Sequence, residues 1–274
     1  MGIEKYIPPR LYKYYSASCI EHVISDNTIR WAVPCEENDP FEAMASGWDL
    51  EAVKERFPDF RAEQTTILDG FFDANATQKR ISHVAAFVSF TEDEKNILMW
   101  AHYAENHTGV CLEFDTKYIQ RIDCLRRVKY AKPDEDRDRL SLPHGNQSGN
   151  SQEYQERART FLSKKGCEWY YEKEWRLIVP PMADIIGYKK VGDRHILTSD
   201  IPQGAITKII FGYRVPVSTR LAWAKGIRKN HCKCQFAEVV PGDKKYELKV
   251  EQLDMDVIER PLSKVSRDCL RRLQ

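Results

Sequence analysis

The chain has 274 residues, 42 Lys and Arg against 41 Asp and Glu, 42% hydrophobic and 30% charged residues, and a formal net charge of +1. That length buries a sizeable core, and the balanced charge excludes a global nucleic-acid or membrane field, so any such partner needs a local patch. There is no apolar run of about 18 residues, and the start "MGIEKYIPPR" lacks an apolar signal stretch; the expectation is a cytoplasmic protein without a membrane partner. Eight Cys are dispersed, several within apolar runs, and read as reduced thiols rather than a disulfide framework.

In chain order, "RLYKYYS" reads as a strand and "ASCIEHVISDN" as a helix. Ser16 or Ser18 caps that helix, and Cys19, Ile20, Val23 and Ile24 form its apolar stripe. "TIRWAV" is a second strand, and Asn38-Asp39-Pro40 has turn chemistry. Residues 47–80 read as charged and helical, broken at Pro58, before the apolar strand "HVAAFVSFT". Thr91 or Asp93 would cap a helix presenting Ile97, Trp100, Ala101 and Ala104 on one face, followed by strands "VCLEFD" and "RRVKY". Residues 133–152 are polar and aperiodic, an expected exposed insertion. A helix over 153–165 then leads into "CEWYYEKEWRLIVPP", read as one strand. Further strands are expected in "DIIGYKKV", "AITKIIFGY", "KCQFAEVV" and "YELKVEQLD", with a helix near 217–229. Residues 253–274 form a basic tail, either solvated or an arm for nucleic acid.

Three groups of residues carry candidate chemistry. A continuous strand through "WYYEKEWRL" puts Glu172, Glu174 and Arg176 on one face, as a structural ion pair or as a catalytic carboxylate with its anchor. In "LYKYY", Lys13 flanked by Tyr12 and Tyr14 either snorkels from an edge or meets an anion. Trp100, His102 and Tyr103 form either a satisfied polar corner or an aromatic and imidazole wall for a planar ring. His231, Cys232 and Cys234 suggest a metal site, but the two thiols on one strand face need two further zinc ligands at compatible spacing and none is evident, and the common phosphate, dinucleotide, acyl-transfer and metalloprotease motifs are absent.

The blocks "LYKYYS", "NDPFE", "FVSFTEDEKNILMWAHYAENHTGVCLEFD", "VKY" and "YYEKEWRLIV", in this order over residues 11–215, resemble the bacterial family called domain of unknown function 2971. That resemblance associates the chain with phage-defence or toxin effectors. A weaker similarity, to the ADP-ribosyltransferase superfamily, rests on an aromatic first strand with a basic residue and a late-strand Glu. It implies an α+β single domain over 1–252 with a split or bent, mostly antiparallel sheet, inserted helices and an ADP-ribosyltransferase-like cleft. It also implies NAD as substrate, with Glu174 or else Glu172, together with His102 and Tyr103, at the reacting centre. Lys13, Tyr12, Tyr14, Asn38, Asp39, Trp100 and Arg176 would then bind the nucleotide. The acceptor of a transferred group, nucleic acid, protein or water, and the oligomeric state stay open.

On this reading no metal is needed. Two other classes remain: a nuclease-type effector holding a divalent ion with Asp39, Glu172 and Glu174, and a non-enzymatic sensor of a phage protein or nucleotide. The transferase reading expects the Trp100–Tyr103 and Glu172–Arg176 groups to share one pocket. It also expects Glu174→Gln to abolish activity with the fold intact, and Arg176→Ala to cost stability.

Overall fold

The computed structural model describes residues 6–34, 39, 85–132, 152–180, 183–191 and 194–254. Asn38, the helical stretch expected over 47–80, the insertion apart from Gln152, and the tail beyond 254 lie outside the described residues. The described part is a mixed α+β fold with few helices, and its chain divides into two interleaved compact units.

The first unit comprises Met1–Leu11, Thr28–Asp93 and Thr116–Pro202. Its centre is β3 (Ala86–Thr91) paired antiparallel with β8 (Glu174–Val179), and β8 pairs on its other side with β5 (Leu125–Arg127). Every residue of β8 is buried, as a strand covered on both faces requires. Helix α3 (Gln152–Phe161) and the following Leu162 close a core of Ala85, Phe87, Leu162 and Ile178. Among the described residues of the unit there are two smaller sheets. In one, β10 (Arg194–Asp200) lies between β2 (Thr28–Trp31) and β9 (Gly187–Val191). In the other, β6 (Lys129–Ala131) runs parallel to β7 (Lys164–Gly166).

The second unit comprises Tyr12–Asn27, Glu94–Asp115 and Gln203–Gln274. Its strands run in the order β13 (Leu248–Gln252), β12 (Gln235–Pro241), β11 (Ile206–Phe211), β4 (Val110–Asp115), β1 (Arg10–Tyr15, in this unit from Tyr12). The β11–β12 pair is parallel, whereas β11–β4 and β12–β13 are antiparallel. Helix α1 (Ala17–Asp26) packs against α4 (Val217–Arg228), and Gly226 lets Ile24 approach closely. Ser16 caps α1 through its side chain, and Asn27 ends it in the left-handed conformation that a short amide tolerates. Among the described residues the remaining helix of this unit, α2 (Ile97–His102), is short.

Several local expectations change. The helix expected over 153–165 ends at Phe161, because Lys164–Gly166 pairs with β6 as β7. The segment 167–179 is not one strand: Cys167–Glu172 forms a 3-10 turn, and Lys173 adopts a left-handed φ of 44° before β8 starts. Strand alternation therefore puts only Glu174 and Arg176 on a common face, and Glu172 arrives from the turn. Helix α2 is capped by Asn96, whose Oδ1 accepts from the N–H groups of Leu98 and Met99. Thr91 instead accepts from the Asp93 N–H, and Ile97 is exposed rather than part of the apolar face. "RRVKY" splits at Val128 into β5 and β6, because Val128 turns its N–H to the Glu174 carbonyl. Strand β10 had no expectation, its charged start masking the pairing that it makes on both edges.

Candidate functional site

At the head of β8 the sequence places acid beside acid, and the fold answers with two cations. Arg176 donates from Nε to Glu174 Oε1 at 2.7 Å and from its terminal nitrogens to Glu174 Oε2 at 2.9 Å and the Leu162 carbonyl at 2.7 Å. Its guanidinium also lies 4.7 Å from the Phe87 ring centre. Lys165 of β7 donates to Glu172 at 2.6 Å, makes a longer 3.4 Å contact with Glu174, and sits over the Trp169 ring. Ser89 of β3 hydrogen-bonds Glu174, and Thr91, in register with Glu174, donates to the Glu172 carbonyl.

All four charged side chains are buried, Arg176 completely, and two positive charges match two negative ones. Burial alone would push the Glu174 carboxyl up. Arg176 and then Lys165 reverse this and bring it down to about 2, so it is ionised at any physiological pH. Sequence reasoning gave the glutamates Arg176 as partner, for both or for one with the other facing a cleft, and missed Lys165, Ser89 and Thr91. Lys165 belongs to a three-residue strand that no periodicity reveals. The hydroxyls of "FVSFT" were the available signal, since a buried strand with polar alternates needs partners across the sheet.

Partly buried pairs adjoin this cluster along the chain. Lys173 donates to Asp93 at 2.8 Å, which raises its ammonium pKa, and the Trp175 indole donates to Glu92 at 2.6 Å. The Tyr130 hydroxyl accepts the Glu174 backbone N–H at 2.8 Å, and burial pushes its own ionisation up.

The remaining described candidates belong to the second unit, except Asp39, which is buried in the first. Lys13 lies on the Tyr15 side of β1, 5.7 Å from that ring, as alternation implies. Tyr12 donates to Glu113 at 3.2 Å; burial and then the nearby Glu94 and Glu113 charges raise its phenol pKa. Glu113 also accepts from Thr207 and Lys208 at 2.7 and 2.9 Å, which offset its burial and lower its pKa. The Trp100 indole is 0% exposed and donates to the Glu94 carbonyl. Tyr14 meets it edge-on and His107 stacks on it at 5.7 Å, so its ring presents no open face. His102 is exposed and Tyr103 half-buried at the end of α2.

The feature that sequence reasoning passed over in this unit follows α2. Glu105, Asn106 and His107 have φ values of 51°, 53° and 67°, three successive left-handed residues without a glycine. Such backbone costs roughly 1–2 kcal/mol per residue, somewhat less for Asn. The turn is held by N–H donation from Asn106 to Ala101, His107 to Trp100 and Gly109 to Ala104.

Elsewhere, His231 is buried and fully used. Its Nδ1 accepts from the Gly204 and Ile206 N–H groups at 3.1 and 3.3 Å, so Nε2–H donates to Asn27 Oδ1 at 3.0 Å. Burial lowers its pKa to about 4. Among the described residues no three His, Cys, Asp or Glu side chains group as metal ligands, and no helix is long and apolar enough to cross a membrane. The six described cysteines are free thiols.

No curated protein and no solved structure matches the chain. Residues 99–177, a stretch that contains Trp100, His102, Tyr103, Glu172, Glu174 and Arg176, match the family described as protein of unknown function (DUF2971), and in that stretch the chain is similar to it.

Proposed function

We infer that the protein is an NAD-dependent effector of ADP-ribosyltransferase type, transferring the ADP-ribosyl group or hydrolysing NAD, in a phage-defence or toxin setting. The observation that carries this reading is the Glu174 carboxylate: ionised, aimed by Arg176, and hydrogen-bonded by Ser89 at the head of a buried strand. Loss of nicotinamide from NAD builds positive charge on the ribose. A fixed carboxylate in a water-poor surrounding stabilises that charge without reorganising during the step.

The longest of the Glu174 contacts, 3.4 Å to Lys165, is the one that a ribose hydroxyl would replace, leaving Lys165 on Glu172. A nucleophile, water or an acceptor side chain or base, then takes the anomeric carbon as nicotinamide leaves.

A second reading has its own support. Arg176, Lys165 and Ser89 together saturate the Glu174 oxygens, and a saturated, buried carboxylate suits a binding module that senses a phage protein or nucleotide. A crystal structure of the full chain grown with NAD separates the two. The transferase reading expects a ribose hydroxyl within about 3 Å of Glu174. NAD bound away from Glu174 supports the sensor, and no bound NAD removes the transferase reading.

A further inference from the structure

Outside the β8 cluster, the second unit holds a corner whose construction nothing so far explains. The left-handed turn Glu105–His107 meets the loop Gly212–Val215, beyond the β4–β11 pair Val110↔Phe211. Gly212 donates its N–H to the Gly109 carbonyl at 3.0 Å, and Arg214 donates its own to His107 at 3.2 Å. A Cβ on Gly212 would collide with the His107 carbonyl, and one on Gly109 with the Tyr15 carbonyl. From beneath, buried Arg220 reaches the carbonyls of Gly212, Tyr213 and Val215 and is itself held by Glu238. Glu105 is tied by its carboxylate to the Ala17 N–H. The corner is therefore rigid, and its strain is retained.

What it presents is specific. The His107 ring lies between Trp100 and Tyr213, 5.7 and 4.8 Å from their centres. Its Nδ1 is buried with no hydrogen-bond partner, so the neutral ring carries its proton on Nε2, at the half-exposed edge. Beside it Arg214 is exposed, with its guanidinium against the Tyr213 ring and a 3.4 Å hydrogen bond to the Asn106 carbonyl, which leaves most of its donors facing solvent. Tyr213 is 37% exposed.

We propose that this corner is a binding site for a phosphate-bearing small ligand, with the phosphate oxygens accepting from the Arg214 guanidinium and the His107 Nε2–H and the rest of the ligand resting on Tyr213. A guanidinium fork and one imidazole donor on a fixed frame suit an oxyanion, and the absence of ordering cost at the frame favours binding. Burial, and then the Arg214 charge, lower the His107 pKa. A bound phosphate cancels the Arg214 contribution, while Glu105, the nearest acid of the turn, is already committed to α1. The proposal does not rest on the NAD reading.

The test is a titration of the full-length protein, with isotope-labelled histidine rings, against ADP, inorganic pyrophosphate and adenosine. ADP and pyrophosphate should shift the His107 ring signals saturably and move its titration midpoint upward, and adenosine should do neither. Arg214→Ala, at an exposed position, should weaken ADP binding about tenfold, the weight of a charge-assisted hydrogen bond. His107→Gly, which relieves the left-handed backbone, should weaken ADP binding read by isothermal titration calorimetry while the protein stays folded. Unchanged His107 signals, equal shifts with adenosine, or unaltered binding by the Arg214 variant would each overturn the assignment. Should the glycine variant not fold, the Arg214 variant alone decides.

Discussion

Glu174→Gln reads, from sequence, as a volume-conserving probe that spares the fold; the geometry at the head of β8 changes that expectation. Gln keeps one acceptor for Arg176, but its amide group then points N–H donors at the other Arg176 nitrogen and at Lys165. The buried cluster passes from neutral to one uncompensated positive charge, with Arg176 at 0% exposure. Removing one partner of such a pair costs about 3–5 kcal/mol. At roughly 2–4 °C per kcal/mol for chains of about 150–250 residues, thermal unfolding should move down by about 6–20 °C. Glu172→Gln, which gives up the Lys165 contact and leaves the bidentate pair, should move less. Replacing Glu174 and Arg176 together by Gln and Met removes both charges and should recover part of the loss. Thermal unfolding by circular dichroism at neutral pH reads all four proteins. A Glu174→Gln protein that melts with wild type, or a double variant no more stable than the single one, would refute the idea that this cluster holds the fold through matched charges.

Gly212→Ala should cost about 1–3 kcal/mol in urea unfolding, because the new methyl meets backbone that cannot rotate away. Gly187→Ala, whose Cβ meets Thr198 O at an ordinary 3.6 Å, serves as the near-neutral control. Equal midpoints for the two would remove the close-approach argument. His231 should make stability fall with acid. Its folded pKa of about 4 lies below the ordinary 6.5, so the unfolded chain takes up the proton first; stability is full above 6.5 and lost progressively down to about 4. His231→Gln should flatten that part of the urea-midpoint profile, and an unchanged slope would place the titration elsewhere.

The strands β3, β4 and β11, rich in apolar and β-branched residues, were legible in the sequence, as were α1 with its Ser16 cap and α4. Their periodicity and caps are local properties. The segment 167–179 was not legible, because its aromatic content favours a strand while Lys173 in left-handed geometry stops one. The same break hid the true pairing of the candidate carboxylates. Spacing showed that Glu174 and Arg176 belong together, but Lys165 is brought to Glu172 by β7, a strand of three residues fixed by tertiary pairing. His107 stood out only as one of several polar residues between Trp100 and Val110, and only backbone angles reveal that Glu105, Asn106 and His107 are three consecutive left-handed residues.

Nicotinamide release from NAD by the purified full-length protein, with water, nucleic acid or cell lysate as acceptor, bears most directly on the proposed chemistry. The account predicts turnover by wild type that falls by orders of magnitude in Glu174→Gln when both are measured below the melting temperature of the variant. NAD left intact by folded wild type under every acceptor condition, or turnover undiminished in the folded variant, would contradict it.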